Sequence, residues 1–94
     1  MKITVKELIN YISGKLTGNN LLQVYVYREN YCNDDIIKKI ETVLNEKVID
    51  FDIWTKEEFK DMFCDTIERV FIESKFTDST RFLTIKIKWS NHNE

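Results

Sequence analysis

Apolar positions recur at two different periods along the chain, and the switches between them divide it into six segments. From Thr4 to Leu16 the period is helical: Val5, Leu8, Ile9, Ile12 and Leu16 share one stripe. Thr4 and Glu7 have the spacing of a capping box, and Gly18 with Asn19 and Asn20 ends the segment. From Leu21 to Arg28 the period becomes two, with Leu22, Val24 and Val26 on one side and Gln23, Tyr25 and Tyr27 on the other, as in a strand. Asn33 to Leu44 reads as a second helix, with Ile36, Ile40, Val43 and Leu44 as its buried stripe. Asn33 suits its cap, and Asp34 and Asp35 suit the positive end of its dipole. Val48 to Trp54 alternates again, placing Ile49, Phe51 and Ile53 inward and Asp50 and Asp52 outward. Thr55 to Lys75 predicts one long third helix, opened by a Thr55–Glu58 capping box, with Phe59, Phe63, Ile67, Val70 and Phe71 as its apolar stripe. The last strand is Arg81 to Trp89, with Leu83, Ile85, Ile87 and Trp89 inward and Phe82, Thr84, Lys86 and Lys88 outward. Residues 90–94 form a polar tail.

The order α-β-α-β-α-β predicts a small α+β domain over residues 1–94. Strand–helix–strand units favour parallel pairing, whereas clear alternation implies a sheet with one solvated face. The expectation is a three-stranded sheet, mixed or parallel, with three helices on one face and the other face open. A chain of 94 residues buries roughly 60–65% of its unfolded surface, enough for a core but not for a deep cleft besides.

Charge changes this picture more than its net value of −2 suggests. Residues 1–28 carry Lys2, Lys6, Lys15 and Arg28 against Glu7, for +3. Residues 29–68 carry twelve acids and five bases, for −7, and the remainder carries +2. Within the acidic stretch, Glu57, Glu58, Asp61, Asp65 and Glu68 recur at spacings of three and four, which puts them along one face of the third helix. Like charges at that spacing cost a few tenths of a kcal/mol per pair, which a cationic partner would recover. The plain reading is a solvated face, partly neutralised by Lys56, Lys60 and Arg69, with Asp65 and Arg69 as a favourable pair. The functional reading is a docking face for a basic protein surface, the carboxylates imitating a row of phosphates.

Composition removes most enzyme chemistry. His92 is the only histidine and sits in the tail, so Ser–His, Cys–His and multi-His metal arrangements have no parts. Neither a P-loop nor a G-x-G-x-x-G is present. Cys64 falls near the apolar face of its helix and reads as a small core hydrophobe. Cys32, ahead of Asn33, is more exposed but has no base near it in sequence. The segment MKITVKELIN has no continuous apolar run of the secretory type, and no stretch reaches the length of a membrane span. A reduced, cytoplasmic protein is expected. Alanine and proline are absent while Ile, Lys and Asn abound, a bias of AT-rich coding that suggests a low-GC bacterium or its phage.

Three other groups are candidates. Asp50 and Asp52 form a D-x-D pair suited to Mg²⁺ and a phosphate, or to cross-strand ion pairs with Lys86 and Lys88. Tyr25, Tyr27, Trp54 and Phe82 with Lys86 and Lys88 would stack single-stranded nucleic acid if the sheet face is open, or serve as a protein or homodimer interface. Glu58-Phe59-Lys60 and Glu73-Ser74-Lys75 match the E-x-K of a nuclease pattern, but that pattern needs a strand and both triplets read as helical.

In general character (short, acidic, without catalytic motifs) the chain resembles phage-encoded antagonists of host defence such as anti-CRISPR proteins. It also resembles small immunity proteins that neutralise a toxin. The resemblance is one of type and transfers no residue. It implies a non-enzymatic, stoichiometric inhibitor with no cofactor or metal, acting in the bacterial host cytoplasm; the −7 middle segment, not the resemblance, points to the acidic helix as its surface, with Asp50 and Asp52 extending it. The alternative is a nucleic-acid-binding accessory protein using the aromatic and basic sheet face.

Overall fold

A computed structural model describes residues 2–16, 21–29 and 34–88. Helix α1 spans Val5–Lys15, where the Thr4 and Glu7 side chains and backbones bond reciprocally as the spacing predicts. Strand β1 spans Leu22–Glu29, β3 spans Val48–Thr55 and β4 spans Arg81–Ile87, each within two residues of expectation. Trp89, Cys32, Asn33 and the polar tail lie outside the described residues.

Two segments differ from the sequence reading. In place of the helix from Asn33 to Leu44, Asp34–Ile37 forms strand β2, antiparallel to β1, and Ile40–Thr42 forms a single 3₁₀ turn. Three of the four apolar residues meant for a helix stripe still reach the core, Val43 as a buried member and Ile40 and Leu44 packed against it, whereas Ile36 is exposed. Extension along β1 satisfies backbone groups that a helix would leave open on that edge. β-Branched Ile36 and Ile37 suit a pleated surface as well as they suit a helix.

The second difference is a break in the long helix. Helix α2 runs Lys56–Phe63 and helix α3 runs Thr66–Lys75. Between them Cys64 and Asp65 are extended, and the Asp65 side chain accepts a hydrogen bond from the backbone N–H of Glu68. An aspartate that caps a new helix outcompetes continuation of the old one. Removing that cap, Asp65→Ala, is expected to cost about 1 kcal/mol, read as a lower urea midpoint.

The sheet has four strands in the order β2-β1-β4-β3, with β1 and β4 parallel and the outer pairs antiparallel. It is mixed, as expected, but larger by one strand. Its faces are not divided into one covered and one open. On one side α1 contributes Val5, Leu8 and Ile12 to a core with Val26, Val48, Leu83, Ile85 and Ile87. On the other side Phe59 of α2 and Ile72 of α3 close over Phe82, with Tyr25, Trp54, Cys64 and Phe76 packed around them. The central strand β4 is therefore buried on both faces, and its alternation of Phe82, Thr84 and Lys86 with Leu83, Ile85 and Ile87 separates two cores rather than core from water.

Candidate functional site

The acidic residues occupy two short helices. Glu57, Glu58 and Asp61 lie exposed on α2, Asp65 caps α3, and Glu68 lies in the first turn of α3. Two of the five have structural work: Glu58 accepts from the Thr55 N–H at 2.9 Å, and Asp65 accepts from the Glu68 N–H at 2.9 Å.

Of the cations that the sequence set against these acids, only Lys60 meets one of them. Lys56 is buried, with its ammonium 3.0 Å from Glu73, 3.2 Å from Asp78 and 3.4 Å from the Phe76 carbonyl. Lys60 binds Glu73 and, at 3.0 Å, Glu57. Arg69 donates to the carbonyls of Lys60 and Cys64, both at 3.2 Å, and so ties the end of α2 to α3 instead of pairing with Asp65. Among the described residues, Glu58, Asp61, Asp65 and Glu68 form no ion pair.

Glu73 is the hub of this arrangement. Hydrogen bonds from Lys60 and then Lys56 hold its carboxyl below the ordinary value of 4.5. The same bonds raise both lysines above 10.5. A carboxyl whose folded pKa is lowered contributes stability that is present above its unfolded pKa and lost as pH falls through the folded one. The acid limb of stability below about pH 4.5 is therefore expected to flatten in Glu73→Gln. Urea midpoints measured from pH 3 to 7 check this; parallel limbs for wild type and variant would count against it.

Breaking the long helix also rotates α3. Ile72 faces the sheet, whereas Ile67, Val70 and Phe71, expected in the buried stripe, are 81%, 65% and 54% exposed. Met62 and Phe63 of α2 add to this surface. Beside it an open groove of about 460 Å³ runs between α2–α3 and the outer half of the sheet. Its walls are mainly aromatic and aliphatic: Tyr25 and Tyr27 from β1, Ile36 from β2, Phe59 and Phe63 from α2, Phe71 and Ile72 from α3. Glu68 is the acid in that lining. Burial pushes the Tyr25 hydroxyl up, and burial followed by the charges of Glu68 and Asp65 pushes the Cys64 thiol up, which leaves it a protonated, packing thiol.

The predicted aromatic sheet face is mostly a second core. Phe82 is fully buried, with its ring stacked on Phe59 at 4.4 Å and Tyr25 at 6.4 Å and edge-on to Phe76 at 5.4 Å. Trp54 is half-buried and donates its indole N–H to Thr84 Oγ1 at 2.9 Å. Besides the groove at Tyr25 and Tyr27, the far end of that face opens as a small cleft shared by Tyr27, Asp50, Asp52 and Lys86. Asp50 lies opposite Lys86 in register as expected, but Asp52 lies opposite Thr84 rather than a lysine. Even so, the Lys86 ammonium sits 5.7 Å from the Tyr27 ring centroid, and no described ion pair involves Asp50 or Asp52. Lys88 is exposed, and its carbonyl accepts from Arg28 at 3.2 Å.

Sequence reasoning missed the exposed apolar stripe of α3. The signal that would have found it is Asp65-x-x-Glu68, a second cap spacing inside the apparent helix. Both E-x-K triplets lie on helices, and Glu73 is committed to two lysines. No group of three or more potential metal ligands occurs among the described residues, and none of their helices is long and apolar enough to cross a membrane. Comparison of the chain with family models, with curated proteins and with solved structures finds no match.

Proposed function

We propose that the chain is a stoichiometric protein-binding inhibitor that docks the acidic face of α2 and the start of α3 on a basic protein surface. The observation that carries this reading is that Lys56 and Arg69 are committed inward while Lys60 is shared between Glu73 and Glu57. Of the five acids of the face only Glu57 receives a cation, and among the described residues Glu58, Asp61, Asp65 and Glu68 are left to project a negative potential. Such a potential accelerates encounter with a cationic partner and suppresses acidic ones. Surfaces of the required sign are those that hold nucleic acid, which makes a host nucleic-acid-handling or defence protein the target, and a phage or mobile element the source. Stacking of single-stranded nucleic acid on the sheet has less support, because Phe82 is buried and Asp50 and Asp52 flank what remains open.

Glu58 and Asp65 are poor choices for testing this, since their loss uncaps helices. The variant of choice is Glu57→Lys with Asp61→Lys, both on the exposed side of α2. Used as bait in a lysate of a low-GC bacterium, the wild type is expected to retain a basic protein at about 50 mM salt. It should release that protein at about 0.5 M, where screening acts within roughly 4 Å. The double variant is expected to retain none. Equal capture of the same partner by both baits would refute docking through α2.

A further inference from the structure

The outward stripe of α3 has a charge order that suits one occupant in particular, and we propose that this occupant is a second copy of the same chain, related by a two-fold axis. On a helix of ten residues, Ile67, Val70, Phe71 and Ser74 share one face, and Ile72 points the opposite way into the core. Glu68 and Lys75 flank the stripe on the same side, one near each end. When two identical helices cross antiparallel, like flanks meet like flanks and the amino-terminal half of one faces the carboxy-terminal half of the other. A two-fold axis between Val70 and Phe71 brings those two residues of each copy against the other's, and sets Ile67 over the Ser74 turn. In the same register Glu68 of each copy lies about 3 Å along the axis from level with Lys75 of its partner, within reach of two flexible side chains. One contact surface then supplies both the apolar seam and two symmetric ion pairs. The Lys75 ammonium already lies over the Phe71 ring at 5.2 Å, on the side where the partner's Glu68 would arrive.

The other candidate edge argues against itself. Strand β3 is an exposed sheet edge, but antiparallel pairing of two copies would oppose Asp50 and Asp52 with Asp50 and Asp52. The charge order of α3 offers self-association a surface without that clash. The exposed surface of Met62, Phe63, Ile67, Val70 and Phe71 is on the order of 500 Å², at the upper part of the range for a monomer's largest apolar patch and below the roughly 800 Å² per partner of a standard interface. The dimer expected is therefore a weak, concentration-dependent one. It leaves Glu57 and Asp61 outside the seam and shares only Glu68 with the proposed docking face, so Glu57→Lys with Asp61→Lys tests that face without touching the dimer.

Sedimentation velocity from about 5 to 500 µM decides the matter, with circular dichroism confirming that each variant is folded. The mass is expected to rise with concentration from 11.3 kDa toward twice that value. Ile67→Asp, at the most exposed of these positions, is expected to keep the fold and remain monomeric throughout. Glu68→Lys alone and Lys75→Glu alone should each weaken association about tenfold, because each places like charges opposite one another twice. The double exchange Glu68→Lys with Lys75→Glu should restore it. A wild type that stays monomeric at 500 µM would overturn the proposal and leave the stripe to another protein. So would a dimer indifferent to Ile67→Asp, and failure of the double exchange to rescue would overturn the antiparallel register.

Discussion

Replacing Phe82 with alanine is expected to destabilise the protein by about 3–5 kcal/mol, the usual cost of emptying a fully buried aromatic site. The ring has no exposed surface and contacts three other aromatic rings, on β1, on α2 and beside the end of α3. It is the fully buried sheet side chain at the centre of the cluster that seats α2 and α3 against the sheet. Its loss leaves a cavity that Phe59 and Tyr25 cannot fill without leaving their own stacking contact, whose centroids are 5.0 Å apart. A domain of this size has a total stability of roughly 5–14 kcal/mol, so the variant is expected to melt about 15–30 °C lower. Thermal unfolding followed by tryptophan fluorescence measures this directly, since Trp54 bonds to Thr84 in the same layer. Were Phe82 on an open sheet face, as alternation alone suggests, the shift would be a few degrees at most.

The second large effect belongs to the opposite core. Ile85→Ala is expected to cost about 2–5 kcal/mol, because Ile85 is fully buried beneath α1 in the middle of the central strand. Ile53→Ala, on the neighbouring edge strand, is expected to cost under about 1 kcal/mol, because Ile53 is 43% exposed. The two isoleucines look alike in sequence, each at an inward position of an alternating strand. Their difference is one of strand order: β4 has a neighbour on each side and a helix layer above and below, and β3 is an edge. Urea unfolding of the pair reports it. Similar midpoints for the two variants would place β3 inside the sheet rather than at its rim.

Local signals were legible wherever one residue's chemistry decides the backbone. Thr4 with Glu7 and Thr55 with Glu58 start helices where their spacing says they should, because two side-chain oxygens and two backbone N–H groups within four residues suffice to make the cap. Three of the four strands were visible in their alternation. β2 was hidden because Ile36, Ile40 and Val43 satisfy a helical period equally well, and only the presence of β1 beside them favours extension. The acidic residues were found as a group, but not their use. Glu58 and Asp65 turned out to be caps, and the lysines expected to neutralise them were drawn to Glu73 by a contact between α2 and α3 that no spacing rule encodes.

The sequence by itself determined the α+β class, the positions of α1, β1, β3 and β4, the inward row of β4, and the concentration of negative charge before residue 69. Each of these follows from periodicity, capping or composition, which act between residues close in the chain. Only the tertiary structure decided the fourth strand, the burial of Phe82, the exposure of Ile67, Val70 and Phe71 and the burial of Lys56, whereas the break at Asp65 had a local signal in its cap spacing. The physical reason is common to all four. A period says that two sides of an element differ but not what lies against either, and in this chain a second helix layer covers the sheet face that alternation alone had left to water.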